Sequence, residues 1–249
     1  MLVGSLFLDL RMKQFFRYRS VILSGVFALI TFTLLSGTLY AAGANIVVDN
    51  SAGTSIAAEV LQKVADSWPW YLTRASGLVA AGALILLMLS GIGFITGTSY
   101  RFLEPLTAWA THRALGIVLA IALALHMVAL YFDHFVPFSV VDLLVPFASE
   151  YQIVTWGNLS LGSLYVALGV LAFYCIALIV AVSLLWVNNK DYKWKVVHLL
   201  SYLAMAFVFV HAIAIGTDLA AGALRFIFIG LGVLVLVAAL VRAWRAFTL

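Results

Sequence analysis

Four of the five histidines, His112, His126, His198 and His211, fall inside long apolar segments, as two pairs separated by 14 and 13 residues. Neutral imidazole is an ordinary ligand of transition metals and of haem iron. An ionisable side chain inside an apolar span is costly and usually marks function. No Asp, Glu or Lys lies in the middle of any of these segments. The pattern therefore favours metal ligation over helix packing, whereas the fifth histidine, His134, lies in a connection.

The composition indicates which elements carry these side chains. The 249 residues are 65% hydrophobic and 10% charged, whereas a soluble domain has about 25% charged residues. The apolar runs reach about 20 residues without period-2 alternation, which favours membrane-spanning helices over barrel strands. The net charge of +4 resides in short segments between these runs, where it is a topology signal. We therefore expect an all-α membrane protein that contacts membrane lipid and does not bind nucleic acid.

Six transmembrane helices are predicted to form one bundle in residues 20–249, after a basic cytoplasmic segment at residues 1–19. The predicted spans are Ser20–Asn45, Trp70–Gly97, Thr107–Phe132, Leu159–Val187, Trp194–Ile215 and Gly222–Val241. The connections Ile46–Pro69 and Asp133–Asn158 are expected to be loops that cap the bundle, with all four prolines in loops or at span edges. An alternative for the first span is a cleaved signal peptide ending near Ala44, although its apolar run is long for that purpose.

Basic residues predict the orientation of the bundle, because short cytoplasmic connections of membrane proteins are enriched in Lys and Arg. Of the 14 basic residues, 11 fall on one side of the predicted bundle: Arg11, Lys13, Arg17, Arg19, Arg101, Arg113, Lys190, Lys193, Lys195, Arg242 and Arg245. Both termini are therefore expected in the cytoplasm, in a multi-pass protein of the plasma (inner) membrane.

The third and fifth spans run in the same direction in this topology, so their histidines lie at two matched depths. His112 faces His198 toward the cytoplasm and His126 faces His211 toward the outside, with the two levels ~20 Å apart. Two facing imidazoles form a bis-histidine haem site, so two b-type haems are expected between helices three and five. The single cysteine, Cys175, excludes a C-x-x-C-H attachment within this chain.

The spacing in the fifth span leaves one geometric question open. On an ideal helix a separation of 14 residues brings two side chains within about 40°, whereas a separation of 13 leaves them about 140° apart. An overwound or kinked fifth span would reconcile His198 with His211, and so would haems that approach the helix from different sides.

The histidine spacings and the residues around them resemble the ferric reductase-like transmembrane family, which includes membrane domains of iron reductases and NADPH oxidases. The similar stretches are Leu72-Thr-Arg-Ala-Ser-Gly-Leu-Val79, His112-Arg-Ala-Leu-Gly116, His198-Leu-Leu-Ser-Tyr-Leu203 and Gly216-Thr-Asp218. The resemblance implies that His112 and His198 ligate an inner haem b, that His126 and His211 ligate an outer one, and that Arg74 lies near the outer haem edge. From the residues alone, Arg74 is equally well an interface arginine that extends its charge toward water.

Two departures from the family pattern shape the functional expectation. Leu130 stands where superoxide-producing oxidases carry a further histidine, which argues against superoxide production as the main task. The sequence has no G-x-G-x-x-G motif, and Gly93 and Gly97 are expected to serve helix packing. We therefore expect no flavin or nicotinamide site in this chain.

The resemblance implies transmembrane electron transfer, with the chain as a component of an oxidoreductase; whether it is an enzyme by itself stays open. The donor would be a separate flavoprotein reductase or a quinol on the cytoplasmic side. The acceptor would be ferric iron or a periplasmic redox partner on the outer side. A haem-bearing membrane anchor subunit of a larger complex is an alternative. A haem-free secondary transporter is a weaker one, because transporters usually need intramembrane acids or broken helices.

Overall fold

The computed structural model describes residues 53–101, 103–152, 154–156, 159–185 and 192–248. The basic N-terminal segment, the first predicted span and its signal-peptide alternative lie outside these residues. Within them, five helices are long and apolar enough to cross a membrane. They correspond to the second through sixth predicted spans, and the chain is a multi-pass integral membrane protein of all-α architecture.

The described elements follow one another as helices with two very short strands. In chain order they are α1 Gly53–Thr96, a 3-10 turn Ser99–Arg101, α2 Pro105–Phe132, α3 Val140–Leu144, β1 Val154–Trp156, β2 Leu159–Ser160, α4 Gly162–Leu185, α5 Tyr192–Ile215, a 3-10 turn Thr217–Leu219 and α6 Ala223–Thr248. Strands β1 and β2 pair antiparallel and form a small hairpin between the membrane helices.

Helix α1 begins at Gly53, so the prediction of a loop over Ile46–Pro69 is wrong for its described part. Residues 56–66 are rich in Ala, Glu, Leu, Gln and Lys, which have high helix propensity without being apolar enough to cross a membrane. Hydropathy therefore ends the span near Trp70 while the backbone continues as helix. Pro69 lies inside α1 rather than in a loop or at its edge, and it costs the helix one backbone hydrogen bond.

The largest differences at the other described helix ends have local reasons. Helix α4 begins at Gly162 rather than Leu159, because Leu159 pairs with β1. Helix α6 continues to Thr248, beyond the predicted end at Val241. Arg242 donates a hydrogen bond from Nη1 to the Tyr202 hydroxyl of α5 and lies 5.5 Å from the centre of that ring. This partner accommodates the charge within the helix.

The long helices pack mainly as two hairpins, α1 along α2 and α4 along α5. The buried positions include Ala75, Ala108, Ala129, Ala167 and Ala204, each at most 2% exposed. Small residues allow helix backbones to approach closely, which is how helices associate in a membrane without a hydrophobic driving force. The hairpins meet through α1 with α5 and through α2 with α4, and α6 packs against α1.

The glycines near the end of α1 shape a turn and do not serve helix packing, so that expectation is wrong. Gly97 follows the last residue of α1 with φ of +73°, a left-handed conformation that glycine adopts without steric cost. A side chain on Gly93 would collide with Ser99 of the following turn. The hydroxyl of Ser99 donates to the carbonyl of Ser90 at 3.3 Å, which ties the turn back onto α1.

Candidate functional site

The four histidines of the spans meet in two pairs across the gap between the hairpins. His112 of α2 and His198 of α5 have ring centroids 6.2 Å apart, with planes inclined by 39°. His126 of α2 and His211 of α5 line a single cavity. The structure therefore brings together the members of both predicted pairs, and α2 and α5 run in the same direction, as expected.

Helix α5 is continuous from Tyr192 to Ile215, although its two histidines are 13 residues apart. His198 lies beside His112 of α2, whereas the ring of His211 lies against Gly169 and the Tyr165 carbonyl of α4. The two rings of α5 thus have different neighbours, with α2 beside His198 and α4 bonded to His211.

His126 is held by the backbone of the neighbouring helix α1. Its Nδ1 lies 2.9 Å from the carbonyl oxygen of Thr73. One turn further along α1, a Cβ added to Gly77 would lie only 3.1 Å from both Nδ1 and Cε1 of the ring. The missing side chain at Gly77 therefore lets the imidazole approach α1 closely enough to reach the carbonyl.

His211 is held in the same way by α4. Its Nδ1 lies 2.8 Å from the carbonyl oxygen of Tyr165. A Cβ added to Gly169, again one turn further along the helix, would lie 2.6 Å from Cε1 and 2.7 Å from Nδ1. Real Cβ atoms do not tolerate such contacts, so glycine is the only residue type at position 169 that leaves the ring in place.

These two bonds fix the tautomer of both rings. A carbonyl oxygen only accepts, so Nδ1 of His126 and of His211 must carry the proton and donate it. In the neutral ring, Nε2 then bears the lone pair. Metal-ligating histidines usually donate their other N–H to a carbonyl or carboxylate, which orients the ring and raises its basicity. Both rings of this pair are thus prepared as Nε2 ligands.

The other pair has a different surround, rich in aromatic rings. Nδ1 of His112 lies 2.8 Å from the hydroxyl oxygen of Ser90, which also lies 3.1 Å from the carbonyl of Leu87. When the serine proton goes to that carbonyl, the hydroxyl oxygen accepts from Nδ1, and Nε2 of His112 is again the ligand atom. Trp194 stacks on His198 with centroids 4.6 Å apart, and Phe94 lies 5.3 Å from His112.

The glycines behind the rings follow the spacing of the histidines. Gly77 lies behind His126, and Gly91 lies behind His112, where an added Cβ would be at 3.5 Å. Residues 77 and 91 of α1 are as far apart in sequence as residues 112 and 126 of the antiparallel α2. Sequence reasoning missed these glycines. The usable signal was a G-x13-G spacing in the span that precedes the H-x13-H spacing.

Arg74 lines the cavity that contains His126 and His211. Its Nε donates to Oδ2 of Asp218 at 2.8 Å, and its Nη2 donates to Oδ1 of the same carboxylate. The guanidinium also lies 4.1 Å from the ring centre of Trp70. Arg74 thus lines the same cavity as His126 and His211. Asp218 was visible only as part of a similar stretch and was not expected as a partner.

Arg74→Gln and Asp218→Asn should each lower the thermal unfolding midpoint of the purified chain. Each leaves a partly buried charge without its partner, with side chains 29% and 20% exposed, which we expect to cost roughly 1–3 kcal/mol. The double variant should cost little more than either single one, since the second substitution removes the orphaned charge. Additive losses in this cycle would contradict a direct interaction.

The cavity has room for a large planar group. Its volume is about 250 Å³, far above the ~10–15 Å³ that one water needs by the same measure. Its walls are mostly apolar side chains of α1, α2, α4 and α5. The segment between α2 and α4 closes one side with Val136, Phe138, Leu143 and Tyr151. This segment was expected to cap the bundle, and its short helix α3 begins with a capping box between Ser139 and Asp142.

The donor set suits haem better than a bare metal ion. Among the described residues, no group of three or more His, Cys, Asp or Glu side chains lies close enough to hold a metal. Each pair offers two imidazoles, so the remaining ligands must come from another group, as the four nitrogens of a porphyrin do. Metal–imidazole bonds of about 2 Å on opposite sides of an iron place ring centroids about 6 Å apart, close to the 6.2 Å between His112 and His198.

The chain matches the model of one known family. The family described as ferric reductase like transmembrane component matches residues 76–210, more than half of the chain. The chain belongs to the ferric reductase-like transmembrane family. The matched region includes His112, His126 and His198 and ends one residue before His211. Membership in the ferric reductase-like family implies electron transfer across the membrane. No curated protein and no solved structure matches the chain.

Proposed function

We propose that this chain carries electrons across the membrane through two b-type haems, one ligated by His112 and His198 and the other by His126 and His211. The observation that carries the proposal is the second pair. Both of its rings line one large apolar cavity, and both have Nδ1 committed to a backbone carbonyl. This arrangement leaves two Nε2 atoms as ligands, and among the described residues no third His, Cys, Asp or Glu side chain lies close enough to complete a metal site with them.

Bound haem supplies a one-electron couple between ferric and ferrous iron. The protein residues would hold the ligating imidazoles in one tautomer, keep the two levels at fixed separation and exclude water with apolar walls. A dry, apolar environment disfavours the more highly charged redox state and therefore shifts the reduction potential of the haem. The hydrogen bonds on Nδ1 of the ligating rings also shift this potential. The aromatic rings of Phe94 and Trp194 pack against the first pair and complete that shell.

The charge distribution supports a direction for the path. Most Lys and Arg residues fall on the side of the His112–His198 pair in the sequence, which the positive-inside rule assigns to the cytoplasm of a plasma membrane. The donor would then be a separate flavoprotein reductase or a quinol at that level. The acceptor would meet the Arg74 end, where ferric iron or a periplasmic redox protein fits the role.

The haem content of the purified chain tests this proposal. We expect about two haems b per polypeptide by pyridine haemochrome, and a reduced-minus-oxidised spectrum of six-coordinate haem. One haem per chain would limit the proposal to a single site and remove the transmembrane path. No haem, from cells with ample haem supply, would contradict the proposal altogether.

A further inference from the structure

Thr73 is one of the residues around the cavity that contains His126 and His211, and two of its polar groups bear on that cavity's contents. Its carbonyl oxygen accepts from Nδ1 of His126 at 2.9 Å. Its hydroxyl oxygen is buried and has no hydrogen-bond partner among the described residues. Thr73 itself lines the cavity. A buried hydroxyl without a partner is destabilising, so this hydroxyl indicates a polar atom that the cavity receives from elsewhere.

The residue next to Thr73 indicates which kind of polar atom fits beside the hydroxyl. Its neighbour Arg74 also lines the cavity, and the bonds to Asp218 use Nε and Nη2, so that Nη1 remains for a further acceptor. A hydroxyl and a guanidinium nitrogen together suit a carboxylate, which accepts several hydrogen bonds. Most of the other lining residues are apolar, such as Leu84, Leu119 and Ile176.

Both acidic side chains that line the cavity have hydrogen-bond partners of their own. Asp218 is bonded to Arg74, and Oδ1 of Asp133 accepts from the backbone N–H of Phe135 at 2.9 Å. Neither carboxylate bonds to the Thr73 hydroxyl, which has no partner among the residues that the structure describes.

We infer that the Thr73 hydroxyl, together with Arg74, holds a carboxylate of the group bound in this cavity. This inference rests on the proposed function, under which the carboxylate is a propionate of the haem ligated by His126 and His211. Thr73 is then a positioning residue with two contacts. Its carbonyl orients the axial ligand, and its hydroxyl fixes the rotation of the haem about the axis through the iron.

Thr73→Val separates the two contacts, because valine keeps the shape and the backbone carbonyl and removes only the hydroxyl. The full-length chain is purified with haem, and also from haem-deficient cells. In the haem-free chain, Thr73→Val should leave the unfolding midpoint unchanged or raise it, since it removes an unsatisfied hydroxyl. In the haem-loaded chain it should lower the midpoint, and one of the two haems should dissociate about tenfold faster. Thr73→Ser should behave as the unsubstituted chain does.

The opposite signs in the two forms distinguish haem positioning from a structural role. A purely structural hydroxyl would shift both midpoints in the same direction, and that result would overturn the inference. It would also be overturned if the unsubstituted chain holds two haems and both dissociate from Thr73→Val at the same rates as from the unsubstituted chain. A haem-free unsubstituted chain would instead contradict the proposed function itself. Resonance Raman bending modes of the propionates supply a readout independent of stability, and one of them should shift in Thr73→Val.

Discussion

Replacing His126 or His211 by Ala should reduce the haem content of the purified chain from two per polypeptide to one. Under the proposed function each substitution removes one nitrogen ligand from the same iron, so the double variant His126→Ala/His211→Ala should lose no more haem than either single variant. Replacing His112 or His198 should remove the other haem, with the same lack of additivity within that pair. Pyridine haemochrome and low-temperature difference spectra measure content and identity together.

His134→Ala is the matched control, because this histidine is exposed in the connection after α2 and should retain both haems. The pairing itself would be wrong if His126→Ala and His198→Ala removed the same spectral component. That outcome would mean that the ligands combine diagonally, against the matched depths of the two parallel helices.

Gly169→Ala should abolish most haem binding at the His126–His211 pair while the chain remains folded. The added methyl group would lie 2.6 Å from Cε1 of His211, so the ring must move away from α4 and lose its bond to the Tyr165 carbonyl. Loss of such an orienting bond typically weakens metal binding by about 10–100-fold. The measurement is the fraction of that haem retained after purification, with the haem at the other pair as internal reference.

Other glycines provide a graded series for this prediction. Gly77→Ala places a methyl at 3.1 Å from His126, so a small shift of the ring suffices and a partial loss is expected. Gly91→Ala gives an ordinary contact at 3.5 Å from His112 and should be tolerated, and Gly82→Ala meets nothing within 4 Å. Gly82→Ala should even be slightly stabilising, because alanine is the better helix former. Equal losses in Gly82→Ala and Gly169→Ala would show that helix backbone effects, not histidine contact, are responsible.

The sequence was sufficient to predict the membrane helices because their free energy in lipid depends on composition over about 20 residues. It failed where structure does not follow hydropathy. Residues 56–66 form helix because of their helix propensity and not because they are apolar. Residues 159–161 were predicted to be helical but precede α4, because Leu159 pairs with β1. Pro69 inside α1 was missed for the same reason, since hydropathy placed the end of the span at Trp70 while the helix continues beyond it, and helices of membrane proteins tolerate proline.

The four histidines could be predicted as a site because ionisable groups inside spans are rare and costly. Their partners could not be predicted, since those partners are mostly backbone atoms or missing side chains. The Thr73 and Tyr165 carbonyls leave no signature in residue type, and Gly169 becomes meaningful only when α4 and α5 are in register. The ion pair of Arg74 with Asp218 joins residues 144 positions apart, a separation at which single-sequence patterns carry no information.

The division of the bundle into two hairpins bears on how the protein is made. Helices α1 and α2 contain His112 and His126 together with the groups that orient them, Ser90 and the Thr73 carbonyl. Helices α4 and α5 orient His211 by themselves. The first hairpin can therefore enter the membrane during translation with both of its histidines oriented, and the second with His211 oriented. On the proposed function, haem then joins the hairpins as a cross-link whose binding free energy adds to their association. Maturation thus becomes a step that haem supply controls, after insertion is complete.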